Sequence, residues 1–202
     1  MSERKLEFYF DVGSPTTYLA YTQLPALAAA CDATIVWRPM LLGGVFKATG
    51  NASPVTVPAK GRWMGQDIAR FARRYGVPFA FNPHFPIHTL TLMRGATAYA
   101  QRDEATLRRY LDAVFTAMWA APRNLGDPAV LAATLGEAGF DTDEFAALVA
   151  NPAVKAALVA CTEEAVARGA FGAPTCFVGG QMFFGQDRLD FVREALLAAD
   201  AA

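Results

Sequence analysis

LEFYFDVGSPTTYLA, residues 6–20, joins an apolar segment to the start of a helix. The segment LEFYF is almost continuously apolar and aromatic, which is typical of a strand covered on both faces. The residues that follow, PTTYLAYTQLPALAAA, are rich in alanine and leucine and predict a helix, which Pro25 should kink or divide. Ser14 lies at the junction. Its hydroxyl either only caps the helix or also acts on a ligand.

Strand patterns return at two further places in the chain. ATIVWRPML, residues 33–41, is β-branched and aromatic, and near the C-terminus PTCFVGG and QMFFGQ predict an antiparallel hairpin that turns at Gly179 and Gly180. The sequence DRLDFVREALLAA then predicts a final amphipathic helix. Most of the chain between these parts has helical spacing and helix caps, such as Asp127 before Pro128. We expect the glycine- and proline-rich residues 42–61 to form an ordered loop over a site or an interface.

The resulting order, β-α-β, then helices, then β-β-α, is that of a thioredoxin-like α/β domain with an inserted all-helical domain. We predict that residues 1–42 and 168–202 form the thioredoxin-like domain. Residues 43–167 would be the inserted helical domain, with the ordered loop at its start.

Composition limits the classes of function. The formal net charge is −1, with 53% hydrophobic and 18% charged residues, which predicts a globular protein with no global attraction to nucleic acid or an anionic membrane. Cys31, Cys161 and Cys176 are far apart and form no CxxC pair, which favours reduced thiols and a cytoplasmic location. No signal-peptide pattern and no apolar run of membrane-spanning length is present.

A metal site is not expected. His84 and His88 are four residues apart, but Pro83 and Pro86 argue against a regular helix there, and no cysteine or carboxylate cluster is adjacent.

Ser14 occupies the position at which thioredoxin-like domains carry their active group. Disulfide oxidoreductases of this fold have Cys-x-x-Cys there, whereas this chain has Ser-Pro-Thr-Thr, so dithiol exchange by this route is excluded. The first turn of a helix still offers free backbone N–H groups and a positive dipole end, which would stabilise a bound thiolate. In the same fold a cis-proline faces the active site. Pro174 is correctly placed for it, so that the backbone of Ala173 would pair with a peptide-like ligand.

Taken together, several motifs resemble one family. They are FYFDVGSPTTYLA, GNASPVTVPAKGRWMGQDIARFARRYGVPF, NPHFPIHTL, GAFGAPTCFV and MFFGQDRLDFV. In this order they resemble the 2-hydroxychromene-2-carboxylate isomerases, which are close relatives of the kappa-class glutathione transferases. The resemblance covers nearly the whole chain.

The resemblance implies a glutathione cofactor. Ser14 would donate a hydrogen bond to its sulfur and favour the thiolate, with Thr16 nearby. The other implied contacts are Asn51 and Lys60 at polar ends of the tripeptide, Ala173 with cis-Pro174 at its backbone, and Gln186 with Asp187 at its γ-glutamyl end. Considered alone, Asn51 also fits a turn, Lys60 a solvated charge and Asp187 a helix cap.

The implied reaction belongs to aromatic compound degradation. A chromene carboxylate, or a similar aromatic conjugated acid, opens to trans-o-hydroxybenzylidenepyruvate by reversible addition of the thiolate, with no metal. Candidates for contact with this acid are Phe46, Lys47, Trp63, His88 and Trp119; core packing is the competing explanation for each aromatic residue. His88 stands where many relatives are expected to have asparagine, which leaves the identity of the substrate open.

Two other functions fit the same motifs. A kappa-like glutathione transferase or peroxidase would consume glutathione instead of regenerating it. A thioredoxin-like module without redox activity would bind peptides across Ala173 and Pro174. The resemblance further implies a homodimer.

Overall fold

The computed structural model describes residues 4–198. Four strands and nine helices make up this part of the chain. In chain order they are β1 (Arg4–Phe10), α1 (Pro15–Ala30), β2 (Ala33–Pro39), α2 (Leu42–Thr49), α3 (Pro58–Tyr75), α4 (Leu90–Arg102), α5 (Glu104–Phe115), α6 (Pro128–Glu137), α7 (Thr142–Ala150), α8 (Pro152–Ala167), β3 (Thr175–Val178), β4 (Gln181–Phe184) and α9 (Leu189–Ala198). Short 3-10 turns lie at Pro54–Thr56 and Gln186–Arg188, and a π-helical turn at Thr116–Ala120 continues α5.

The strands form one mixed sheet in the order β2-β1-β3-β4. Strand β1 is parallel to β2 and antiparallel to β3, so that Phe8 lies between Trp37 and Cys176. The hairpin of β3 and β4 is antiparallel and turns at Gly179, which has a φ of 57°. These pairings confirm the predicted thioredoxin-like α/β fold with helices inserted between its two halves.

The helices mostly follow the predicted caps, with two corrections. Asp127 accepts a hydrogen bond from the N–H of Ala129 at the start of α6, as expected. Pro25, however, does not divide α1, which is continuous from Pro15 to Ala30. The expected loop over residues 42–61 is wrong at both ends, because Leu42–Thr49 is helix α2, whose N-terminus has no side-chain cap to mark it in the sequence, and helix α3 begins at Pro58.

One large hydrophobic core crosses from the sheet into the inserted helices. Phe8 of β1 and Tyr110 of α5 both belong to it and are fully buried. In α4, a Cβ at Gly95 would lie 2.5 Å from the ring of Phe145 and 2.6 Å from the hydroxyl oxygen of Tyr110, so that α4 packs closely only because this residue is glycine. The division into residues 1–42, 43–167 and 168–202 stays a prediction.

Within residues 4–198, no helix by itself has both the length and the apolar character needed to cross a membrane. The pair α7 and α8 meets that criterion only when both helices are counted across the 62° bend between them.

Candidate active site

Ser14 caps helix α1, as its position in the sequence predicts. Its backbone is extended, with φ −98° and ψ 119°, and its hydroxyl oxygen accepts a hydrogen bond from the N–H of Thr17 at 3.2 Å. Pro15 follows in the first turn, where a missing N–H has no cost because that group has no partner within a helix. The first turn of α1 thus stands at the end of β1 with its positive dipole end toward Ser14.

The same hydroxyl reaches across to the segment before β3. Ser14 Oγ donates to the carbonyl oxygen of Ala173 at 3.0 Å, and Thr16 Oγ1 lies 3.3 Å from that oxygen. The two hydroxyl oxygens are 2.9 Å apart. The Ala173–Pro174 peptide bond is cis. The fold therefore brings Ser14 and Thr16 together with Ala173 and Pro174, which lie about 160 residues later in the chain.

The hydroxyl protons of Ser14 and Thr16 determine which hydrogen bonds these two residues can donate. Ser14 and Thr16 each have one hydroxyl proton, and the carbonyl oxygen of Ala173 lies within reach of both. If Ser14 turns its proton toward a ligand, Thr16 can keep the carbonyl hydrogen-bonded. The oxygen of Ser14 meanwhile still accepts from Thr17. Ser14 is thus a donor that can change partner without leaving a buried acceptor unpaired.

Two polar groups near Ser14 have no partner within the described chain. The N–H of Ala173 has no acceptor among residues 4–198, although this residue is only 8% exposed. The hydroxyl oxygen of Thr17 is buried and equally without a partner there. Buried polar groups are normally hydrogen-bonded, so the unpaired N–H of Ala173 suits a site that receives a ligand, whereas Thr17 has no exposed surface for one to contact.

A buried carboxylate holds the loop that carries Ser14. Asp11 has no exposed surface, and it accepts hydrogen bonds from the N–H of Gly13 at 2.9 Å, the N–H of Leu42 at 2.8 Å and the hydroxyl of Thr89 at 3.0 Å. Burial raises the pKa of this carboxyl, and the three donors act in the opposite direction. Asp11 therefore joins the starts of α1, α2 and α4.

Sequence reasoning missed Asp11 and Thr89. A signal was available at Asp11, since a carboxylate that ends a buried apolar strand needs partners. Nothing local identifies Thr89 as one of them. Its methyl group would lie 2.7 Å from a Cβ at Gly13, so Gly13 permits this close approach.

The other predicted glutathione contacts are brought together in part. Asn51 donates to the carbonyl oxygen of Phe171 at 2.8 Å and thus ties the end of α2 to the segment that leads to Ala173. The N–H of Gly185 donates to the carbonyl oxygen of Pro174 at 3.0 Å, which keeps the following residues, Gln186 and Asp187, near the same segment. Gln186 is buried, whereas Asp187 is exposed and pairs with Arg188. Lys60 is exposed near the start of α3, and no contact recorded for the described residues joins it to this group.

The predicted substrate contacts are spread over several places. Trp63 and His88 are exposed, and Phe46 is half-buried on α2. Lys47 lines a separate cleft between helices α2, α4 and α8. Trp119 is fully buried, packs against aromatic rings and donates to the carbonyl oxygen of Val12 at 2.8 Å. In this structure Trp119 is thus a core residue, and its contact with a substrate stays a prediction.

The chain's own thiols are poorly suited to act as nucleophiles. Burial raises the pKa of Cys176 to about 12 and that of Cys161 to about 11, so both thiols are protonated at neutral pH. Cys31 is buried at the other end of α1 from Ser14. A helix of this length places the two ends roughly 25 Å apart. None of the three cysteines can supply a thiolate at Ser14.

Comparison with known proteins identifies relatives over the whole length. The family profile described as DSBA-like thioredoxin domain matches residues 5–197. The chain is 33% identical to 2-hydroxychromene-2-carboxylate isomerase of Sphingobium xenophagum, over 96% of this chain and 98% of the relative. It is 28% identical to glutathione S-transferase kappa 1 of Homo sapiens, over 96% and 91%. The solved structure of a selenomethionine 2-hydroxychromene-2-carboxylate isomerase superposes with a TM-score of 0.85 at 29% identity, covering 98% of each chain.

Proposed function

Because the chain belongs to the DSBA-like thioredoxin domain family and, within it, to the 2-hydroxychromene-2-carboxylate isomerases, we propose that it is a glutathione-dependent isomerase of an aromatic conjugated acid. Its substrate would be 2-hydroxychromene-2-carboxylate or a close analogue. The product would be trans-o-hydroxybenzylidenepyruvate. The proposal extends to a cytoplasmic location and to a homodimer. Size-exclusion chromatography with light scattering tests the homodimer directly by measuring its molar mass.

One observation carries the proposal. A serine hydroxyl, rather than a thiol, stands at the N-terminus of α1, where it contacts the carbonyl oxygen of Ala173 at 3.0 Å. The helix end favours an anion, burial raises the pKa of the Cys176 and Cys161 thiols, and Cys31 lies at the other end of α1. A sulfur that acts at this position must therefore come from a bound molecule.

The residues present fit glutathione. The unpaired N–H of Ala173 suits a peptide carbonyl of the tripeptide, since an extended ligand pairs with such a segment as a strand would. The exposed carboxylate of Asp187 suits the ammonium group of its γ-glutamyl end. When bound, glutathione would supply a thiolate that adds reversibly to the conjugated carbon and is released again, so that no net oxidation or reduction occurs.

The protein's part in the reaction is electrostatic and positional. Ser14 would turn its hydroxyl proton from the carbonyl of Ala173 to the sulfur and, with the first turn of α1, hold it as the thiolate. Thr16 would then occupy the carbonyl of Ala173. Asp11 would keep this loop in register with the starts of α2 and α4. Ser14 is in this scheme a hydrogen-bond donor and not the nucleophile.

The test is turnover with limiting glutathione. The protein is mixed with an excess of 2-hydroxychromene-2-carboxylate over glutathione, and the product is followed by its absorbance. We expect many turnovers for each glutathione present, because the thiol is regenerated. If product formation stops at one equivalent, the protein conjugates glutathione, as a kappa-like transferase would. If calorimetry detects no glutathione binding at millimolar concentration, both glutathione-based functions are excluded.

The Ser14→Ala variant tests the assigned role more narrowly. A hydrogen bond to a charged group contributes about 1.5–3 kcal/mol, which corresponds to a rise of about 1–2 units in the pKa of the bound thiol. We expect glutathione still to bind, because Ser14 does not hold the ends of the tripeptide, while the rate at neutral pH falls by about ten- to a hundredfold. Retention of both the wild-type rate and the wild-type thiol pKa would contradict this role.

A further inference from the structure

A second cleft lies between helices α2, α4 and α8, and we refer to it as the α2–α4–α8 cleft. Its volume is about 570 Å³, which falls within the usual range for small-molecule sites of roughly 300–1,000 Å³. Apolar side chains form much of its lining, and two of them are unusually open to solvent: Leu90 is 39% exposed and Val159 is 54% exposed. Apolar side chains exposed in a concave surface are typical of a site that a ligand covers.

The same lining contains three cationic side chains, Lys47, Arg94 and Lys155, against the single carboxylate of Glu163. Among residues 4–198, none of these three cations forms an ion pair with a carboxylate. The cleft thus combines a net positive charge with an apolar surface.

Arg94 is the most informative of the three. Its Nε atom has essentially no contact with solvent and no hydrogen-bond partner in the described part of the chain. Arg102, on the same helix α4, is instead exposed and pairs with Glu144. Arg94 as a whole is half-buried, but a buried N–H donor without a partner is unfavourable unless another group completes its hydrogen bond.

The α2–α4–α8 cleft is separate from the candidate active site formed by Ser14, Thr16, Ala173 and Pro174. Neither Ser14 nor Ala173 lines it. The cleft is nevertheless linked to this site through the chain. Leu41 and Leu90 in its lining are adjacent in sequence to Leu42 and Thr89, which donate hydrogen bonds to Asp11 in the loop that carries Ser14.

We propose that the α2–α4–α8 cleft is a second ligand site, which binds a small monocarboxylate with an apolar body. The carboxylate would pair with Arg94, the side chain whose planar fork of N–H donors matches a carboxylate, and Lys47 and Lys155 would add to the attraction. The apolar body of the ligand would cover Leu90 and Val159. This inference rests on the cleft alone and does not depend on glutathione or on the isomerase reaction.

The experiment uses 2-naphthoate as probe and its uncharged amide, 2-naphthamide, as the matched ligand. Binding to the wild-type protein is measured by calorimetry without glutathione, and the site is mapped by NMR shifts of backbone amides. The variants are Arg94→Gln and Lys47→Gln, with Arg102→Gln as the control that removes the same charge from the same helix outside the cleft.

We expect 2-naphthoate to bind, to shift the amide signals of Leu90 and Val159, and to bind more tightly than 2-naphthamide. Arg94→Gln should weaken its affinity by about ten- to a hundredfold, the loss expected for a hydrogen bond to a charged group. Lys47→Gln should weaken it less, and Arg102→Gln should leave it unchanged. Equal affinity for acid and amide in the wild type, equal effects of Arg94→Gln and Arg102→Gln, or shifts confined to the surroundings of Ser14 would overturn the proposal.

Discussion

Replacing Thr16 with valine tests whether the hydroxyl of Thr16 allows Ser14 to turn its proton from the carbonyl of Ala173 to a bound thiolate. Valine keeps the shape of threonine and removes its proton donor. In the wild type, Thr16 Oγ1 lies 3.3 Å from the carbonyl oxygen of Ala173 and 2.9 Å from Ser14 Oγ. Without that hydroxyl, the proton of Ser14 is the only side-chain donor recorded within the described chain for the carbonyl of Ala173. Turning it toward a thiolate then leaves a buried acceptor unpaired.

The magnitude follows from the lost hydrogen bond. An unpaired buried acceptor costs about 1–3 kcal/mol, and the lower end applies here because the contact is long and Thr16 is half-buried, so that water can reach it. About 1 kcal/mol corresponds to a rise of about 0.7 units in the pKa of the bound glutathione thiol. A smaller fraction of thiolate at neutral pH lowers the rate, and raising the pH should restore it.

The assay is a pH titration of bound glutathione, followed by the ultraviolet absorbance of its thiolate. Thr16→Ser is the matched control, since it keeps the hydroxyl and should keep the wild-type pKa. Affinity for glutathione at low pH, where the thiol is protonated, should be the same in all three proteins. If Thr16→Val leaves the thiol pKa at the wild-type value while Ser14→Ala raises it, the exchange of partners between the two hydroxyls is refuted.

Two further predictions concern the scaffold. Burial raises the folded-state pKa of Asp11 above its ordinary 3.8, so the folded protein holds the Asp11 proton more tightly than the unfolded chain does. The protonated carboxyl of Asp11 therefore contributes fully to stability below about pH 4. That contribution is lost as the pH rises through the folded-state pKa. Urea unfolding of wild type and Asp11→Asn across this range should show that slope only in the wild type, because the amide does not titrate; a variant that keeps the wild-type slope would assign the slope to another group. Gly95→Ala should lower the free energy of unfolding by about 1–3 kcal/mol, because the new Cβ would lie 2.5 Å from the ring of Phe145. Gly136→Ala in α6, whose Cβ would meet no atom within 4 Å, should instead raise it by about 0.5–1 kcal/mol. Thermal unfolding compares the two variants, and equal effects would contradict the packing argument.

The sequence predicts those parts of the molecule that depend on local chemistry. Helix caps such as Ser14 and Asp127, and the turn glycine Gly179, are determined by a few adjacent residues, and the structure has each of them in the expected role. Helix α2 was missed because it begins at Leu42 without a capping side chain and contains two glycines, which mimic a loop.

The parts that could not be predicted depend on contacts between distant residues. Thr89 reaches Asp11 across 78 positions, and no short pattern identifies such a pair. Trp119 shows the same limit, since an aromatic residue at helical spacing looks the same whether it faces the core or a substrate. The contact between Ser14 and Ala173 was predicted only because the chain resembles thioredoxin-like domains, in which a cis-proline faces the active site.

The exchange of cysteine for serine at the start of α1 changes what the rest of the site must do. A cysteine there would bring its own sulfur, and the protein would need only to tune the pKa of that thiol. A serine requires a carrier for the sulfur, and the carrier must be held by groups that do not take part in the chemistry. In this chain such groups are present around Ser14, since the N–H of Ala173 has no partner among residues 4–198 and Asn51 holds the preceding segment through Phe171. Because binding and thiolate stabilisation then rest on different residues, variants of Ser14 should raise the pKa of the bound thiol with little loss of affinity, whereas variants of Asn51 should weaken glutathione binding.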